Sequence, residues 1–197
     1  MLDKNTKMFD SFKAQKTNKE IVKEVYDALE ERDYNPVDQL VGYLVSGDPS
    51  YITSYNNART LIKGIDRDEL IAEMLKAYAP DSFGVQECTP RWKRIIRSAV
   101  GDKYACVGRS RDFYGPFTEY SSIYYLKDKY NLIDSGTFWL SETPDKPYTK
   151  SFDSKCCRIA TWAVLENKET GEKYTHINTH LDHVLDSTRD AQMKVLI

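Results

Sequence analysis

Residues 1–79 contain no histidine and no cysteine. That half therefore lacks the commonest general base, the thiol nucleophile and the soft metal ligands. The whole chain of 197 residues has three histidines and four cysteines, all beyond residue 87. No two cysteines have the C-x-x-C spacing that presents two thiolates to one zinc, and the adjacent Cys156 and Cys157 are poorly placed to pair with each other. Reduced, mostly buried thiols are expected. Net charge is nearly absent as well, with 28 basic against 30 acidic residues. This excludes a polybasic nucleic-acid glove but not a local basic cleft. No apolar run approaches the roughly 20 residues of a membrane span. Residues 1–19 are polar and Lys-rich, without the apolar centre of a secretory signal, so a cytoplasmic protein is expected.

What is present is a globular composition: 41% hydrophobic residues, 29% charged residues and a mean hydropathy of -0.60. The length allows one medium domain or two small ones. The charge is uneven along it. Residues 1–79 carry 11 basic and 14 acidic residues, and residues 80–197 carry 17 and 16.

The first part has helical periodicity. Thr17 and Glu20 have the spacing of a capping box. Ile21, Val22, Val25, Ala28 and Leu29 then share one helical face, ending near Arg32-Asp33. Asn35-Pro36 restarts a helix, with Asn as cap and Pro at the first helical position. Val37, Leu40, Val41, Leu44 and Val45 continue at helical spacing to Gly47, a natural stop. Asp48-Pro49 reads as a turn. A shorter helix is predicted from Ser54 to Lys63. A further one begins at the Asp66/Glu69 box, carries Leu70, Ile71, Met74, Leu75 and Tyr78, and ends at Pro80.

From Ser82 the period changes. Phe83-Gly84-Val85 suits a buried strand, and Trp92 to Val100 suits a helix. Strands are predicted at 104–107, 121–126, 132–140, 158–166 and 173–181, all rich in Ile, Val, Tyr, Trp and Thr. Two long connections, 108–120 and 141–157, have the length at which loops are usually functional. The fold class is thus α+β in two parts: a small all-α domain over 1–79, then a sheet-rich domain over 80–197. The change of period falls inside one helical stretch whose apolar stripe serves both parts.

The first part holds Val25-Tyr26-Asp27-Ala28-Leu29, Tyr34-Asn35-Pro36, Val41-Gly42-Tyr43-Leu44, Ser46-Gly47-Asp48-Pro49 and Arg67-Asp68-Glu69-Leu70. In this it resembles the IreB family of regulatory phosphoproteins of Gram-positive bacteria. The resemblance implies a compact helical fold, a homodimer, and phosphorylation of tail threonines by a Ser/Thr kinase. The threonines available are Thr6 and Thr17. A phosphate on Thr17 would sit at a helix N-terminus, where free N–H groups and the dipole favour negative charge. The plain alternative for Thr17 is a cap. Where the family has a Lys-Gly type of helix stop this chain has Arg32-Asp33, and Asp is expected to take the left-handed position.

The second part carries four motifs in order. They are Pro80-Asp81-Ser82-Phe83-Gly84-Val85-Gln86-Glu87, Phe138-Trp139-Leu140-Ser141-Glu142-Thr143-Pro144, Arg158-Ile159-Ala160-Thr161-Trp162, and Ile177-Asn178-Thr179-His180-Leu181-Asp182-His183. Together they resemble the endonuclease/exonuclease/phosphatase superfamily, whose fold is that of DNase I. The resemblance implies a partial α/β sandwich with mostly antiparallel strands. It also implies Mg²⁺ on Glu87 and a scissile phosphate contacted by His180, with Asn178 and Arg158 orienting the groups and Glu119-Tyr120 on the substrate side. Phosphoester hydrolysis needs these kinds of group: a cation on a phosphoryl oxygen, an activated water and a donor to the developing charge. His176 and His183 are expected to be structural or solvent-facing, and Trp139 and Trp162 to be core.

The departures from the pattern matter more than the matches. The first family strand is replaced by the helical part, and the Asp-x-Asn and terminal Asp-His motifs that supply the base are not found. The expectation is a regulatory, kinase-substrate module joined to an incomplete and inactive phosphodiesterase-like domain, with a large apolar face left open by a missing second sheet. The alternative is an Mg²⁺-dependent hydrolase completed by further sequence or by another chain. The phosphoester substrate is not specified by these motifs.

Overall fold

A computed structural model describes residues 16–113 and 115–197. Thr6 lies outside the described residues. The chain divides between Glu73 and Met74 into two compact units.

Helix α1 (Asn18–Glu30) opens on the anticipated box. The Glu20 N–H donates to Thr17 Oγ1 at 3.3 Å, and the Thr17 N–H donates to Glu20 Oε2 at 2.8 Å. The Thr17 hydroxyl also donates to that carboxylate. These bonds hold the Glu20 carboxyl below its ordinary range. The helix ends as expected, with Asp33 at φ 60° and the Tyr34 and Asp33 N–H groups returning to the Leu29 and Glu30 carbonyls. This is the paired closure that satisfies the last free carbonyls. Asn35 Oδ1 caps α2 (Pro36–Ser46), and Gly47 at φ 73° stops it. Gly42 is glycine because the Tyr51 ring lies against its backbone and would occupy the space of a Cβ.

The helix expected from Ser54 starts later. Asn56 and Asn57 both have positive φ, so residues Tyr55–Asn57 form a 3-10 turn and α3 covers Ala58–Lys63. Asparagine tolerates the left-handed region through local hydrogen bonding, and two in succession break the helical register. Helix α4 (Arg67–Tyr78) follows, its first turn held where the Asp68 N–H donates to Asp66 Oδ1. Val25, Leu29, Ile52, Ala58, Ile62 and Leu70 are buried in the core of this unit. These are the apolar positions of α1, α3 and α4, with Ile52 from the connection before α3, and their burial is what holds such short helices.

The second unit has two antiparallel three-stranded sheets. One is ordered β1-β3-β2, from β1 (Ser82–Cys88), β2 (Tyr104–Val107) and β3 (Tyr120–Leu126). The other is ordered β4-β5-β6, from β4 (Tyr130–Trp139), β5 (Ile159–Asn167) and β6 (Lys173–Thr179). Helix α5 (Pro90–Val100) lies after β1, and α6 (Asp186–Leu196) after β6. The expectation of a missing second sheet is therefore wrong. Both sheets are present, and Ile123 and Tyr125 of β3 share a buried cluster with Ala163 and Leu165 of β5. A second cluster joins Ile96 and Val100 of α5 to Tyr104 and Tyr124 on the other face of the first sheet. The apolar stripe of α5 and the alternation of β3 are thus buried on opposite faces of one sheet.

The cysteines are all free, as expected, but only Cys88 is buried. Cys106, on β2, is exposed. Trp139 is buried, as expected of a core residue, and its Nε1–H donates to the Arg111 carbonyl. No helix among the described residues is long and apolar enough to cross a membrane.

The sheets are locked by a polar seam. Asn178 Nδ2 donates to the Val85 carbonyl at 2.9 Å and to the Ser122 carbonyl at 3.0 Å. Gln86 Nε2 donates to the Thr179 carbonyl, and Ser82 Oγ lies 2.8 Å from His176 Nδ1. Gly84 leaves the space that Asn178 fills, since a Cβ there would lie 2.6 Å from Asn178 Cγ. Gly84→Ala is accordingly expected to destabilise the chain by about 1–3 kcal/mol, the usual cost of overpacking a fitted site. Urea denaturation of the variant against the wild type measures it.

Candidate functional site

At the end of β1 the ladder slips. Val85 pairs with Ser122 and Cys88 with Tyr120, so Gln86 and Glu87 form a bulge. Glu87 has φ 50°, a left-handed conformation unusual for a residue with a Cβ. Bulges of this kind turn a side chain out of the alternating pattern. Here the bulge brings Glu87 Oε1 to 3.6 Å from Nδ1 of His180, just past the end of β6. The Glu87 side chain remains 59% exposed.

Arg158, the residue just before β5, completes the group. It is 4% exposed, its Nη1 lies 3.2 Å from His180 Nδ1, and its Nη2 lies 3.0 Å from His183 Nδ1. Arginine only donates, so both imidazole nitrogens act as acceptors and the neutral His180 ring carries its proton on Nε2. Burial first, then the Arg158 guanidinium, holds His180 below its ordinary pKa against the opposing pull of Glu87. His180 is therefore neutral near pH 7. Arg158 has no ion pair with a carboxylate among the described residues, and its Nε is buried without a hydrogen-bond partner.

A small recess is lined by Glu87, Arg111, Glu119, Arg158 and His180, with Cys157 at its side. Arg111 pairs with Glu119 and lies 3.5 Å from Asp112. Burial pushes the Cys157 thiol up, with the Asp112 charge adding to it, so this cysteine is not a ready thiolate nucleophile. The structure thus brings Glu87, His180 and Arg158 to one place. Asn178 lies beneath them in the seam, where it holds the strand that carries Glu87. Glu119 faces the recess through Arg111, and Tyr120 also lines it. Thr17 is far from this chemistry in the chain and serves as the α1 cap.

Sequence reasoning missed two contributors. Arg111 sits in an aperiodic loop, and its only signal is the loop's length. His183, expected to be structural or solvent-facing, has a structural contact, sharing the Arg158 guanidinium with His180. Asp182 was only a motif letter. Its Oδ2 accepts from Ser154 Oγ and the Lys155 N–H, and its Oδ1 accepts from the Val184 and Leu185 N–H groups. Burial works against the charge, but these donors overcome it and hold the carboxyl far below its ordinary range. Helix α6 reinforces the joint through Gln192, whose Oε1 accepts from the Asp182 N–H. Asp182 thereby ties the 141–157 loop to the segment that carries His180 and His183.

A carboxyl depressed on folding contributes stability above its unfolded pKa of about 3.9, and that contribution is lost as pH falls toward the folded value. Asp182→Asn keeps the shape but replaces one acceptor oxygen with a donor. It is expected to cost about 1–3 kcal/mol at pH 7 and progressively less below pH 4. Urea midpoints of both proteins at pH 7 and pH 3 check this; an equal gap at the two values contradicts it.

The model of the IreB regulatory phosphoprotein family matches residues 4–79. Solved structures match the sheet-rich part. An endonuclease/exonuclease/phosphatase from Bacteroides vulgatus is 34% identical with a TM-score of 0.62, over 66% of this chain and 49% of that one. A mannosyl-6-phosphatase from Bacteroides thetaiotaomicron is 33% identical with a TM-score of 0.61, over 66% and 48%. A functionally unknown conserved protein from Enterococcus faecalis is 29% identical with a TM-score of 0.60, over 66% and 50%. The chain spans about half the length of these structures. Residues 4–79 thus match the IreB regulatory phosphoproteins, and the two-sheet unit has the DNase I-like fold of endonuclease/exonuclease/phosphatase proteins.

Proposed function

We propose that the chain joins a phosphorylatable regulatory module to a unit that binds a phosphoryl group without hydrolysing it efficiently. The observation that carries this reading is Arg158. A buried guanidinium whose side-chain partners are imidazoles rather than carboxylates is costly, and an incoming phosphate relieves that cost with charge-assisted bonds. Arg111 and His180 line the same recess.

The case against efficient hydrolysis rests on how the other groups are engaged. Glu119 is paired with Arg111, and His180 accepts from Arg158 rather than standing free as a base. Losing a general base alone costs about two to four orders of magnitude in rate.

One observation favours the second reading, an Mg²⁺-dependent phosphoesterase. The Glu87 carboxylate is turned out by a bulge, is largely exposed, and has no Lys or Arg partner among the described residues. A single carboxylate with waters and a substrate phosphate suits Mg²⁺, so the donor type fits and Glu87 would hold the ion. Bound there, Mg²⁺ would supply neutralisation of charge on a phosphoryl oxygen. His180 would then present its Nε2–H as a donor, and Arg158 would fix the imidazole in that tautomer.

For the helical module we propose a homodimer, cytoplasmic placement and modification by a Ser/Thr kinase at Thr6 or Thr17. A phosphate on Thr17 would displace the Glu20 carboxylate from the cap, since the two groups now share a hydrogen bond.

Calorimetric titration with inorganic phosphate separates binding from turnover. Saturable binding is expected, with affinity at least tenfold lower in Arg158→Lys, which cannot donate to both imidazoles and to phosphate. In parallel, hydrolysis of bis(4-nitrophenyl) phosphate with Mg²⁺ is expected at the buffer rate. Hydrolysis above that rate, lost in both Glu87→Gln and His180→Ala, would establish the second reading instead.

A further inference from the structure

A larger cavity lies on the opposite face of the first sheet, away from the seam. It has a volume of about 480 Å³ and runs between α5 and the strands β2 and β3. That volume is in the range of small-molecule sites. Its walls are of two kinds. Ile96 and Val100 of α5, with Tyr104 and Tyr124 of the sheet, form the apolar floor. Lys93 and Arg94, with Arg97 one helical turn further along α5, supply positive charge, and no acidic residue lines the cavity among the described residues. The helix itself, PRWKRIIRSAV, holds four cations and no carboxylate. Arg94 and Arg97 are exposed, while Lys93 rests its ammonium 4.1 Å above the Tyr120 ring.

Tyr124 is 4% exposed and sits in register with Cys106 of β2, which also lines the cavity. Its hydroxyl is turned into the wall beside the Cys88 and Cys106 thiols, and burial with these neighbours pushes it well above the ordinary phenol range.

We propose that this cavity is a binding site for an amphiphilic anion. The ligand has one phosphate or carboxylate head, held by Arg94 and Arg97, and an apolar body on Ile96, Val100 and Tyr104. The charge of the walls selects the head, and the uninterrupted apolar floor selects against a bare inorganic ion. The site is separate from the Arg158 recess and does not depend on the phosphoesterase reading.

The test uses the full chain and decyl phosphate below its micellar concentration, followed by calorimetry. Saturable binding at one site per chain is expected, with at least tenfold preference over decyltrimethylammonium. The double variant Arg94→Glu/Arg97→Glu is expected to weaken decyl phosphate at least tenfold while leaving inorganic phosphate at the Arg158 recess unaffected. No saturable binding, equal binding of the cationic amphiphile, or unaltered affinity in the double variant overturns the proposal.

Discussion

The second unit depends on the polar seam between β1 and β6. Two sheets packed through apolar side chains alone can slide against each other, because burial is not directional. Hydrogen bonds to fixed carbonyls are directional, and Asn178 makes two of them, to Val85 and Ser122. The Gln86 and Ser82 contacts lie along the same line. Together they fix which residue of β1 faces which residue of β6. Two residues beyond Val85 the bulge turns Glu87 out, and two residues beyond Asn178 the strand end presents His180. The approach of that carboxylate to that imidazole is a consequence of the seam.

The site built on this frame is held from both sides by buried polar groups. Arg158 fixes the imidazoles of His180 and His183, and Asp182 fixes the backbone between and beyond them. A satisfied buried network of this type specifies geometry at the cost of intolerance to substitution. It also sets the protonation state, since a guanidinium at Nδ1 leaves His180 neutral with its proton on Nε2. The arrangement receives an anion well. Its carboxylates, apart from Glu87, are occupied by cations or backbone donors.

Much of this was legible in the sequence because the signals were local. Thr17 with Glu20, Asn35 with Pro36, and Gly47 mark helix ends through groups within four residues of one another. The left-handed place of Asp33 followed from the need to close α1 with a residue that tolerates it. Strands β2 to β6 were visible in their β-branched and aromatic content. The delayed start of α3 was not, because nothing local distinguishes Asn56-Asn57 at positive φ from the same pair in a helix. Helix α6 was also obscure, since its buried residues include Thr188 and Gln192, and Leu185 offers no side-chain cap.

The sequence by itself determined the two-part division of periods, the helix caps and the presence of Glu87, Arg158, Asn178 and His180 in motifs. These rest on spacing along the chain, and spacing is what a sequence records. The tertiary structure decided that both sheets are present and that Asn178 acts from beneath the site. It also decided that His183 shares Arg158, that Arg111 is spent on Glu119, and that a basic helix stands over an apolar cavity. Each of these joins residues tens of positions apart, or depends on which way a bulge turns a side chain. Only the packing of the folded chain sets those relations.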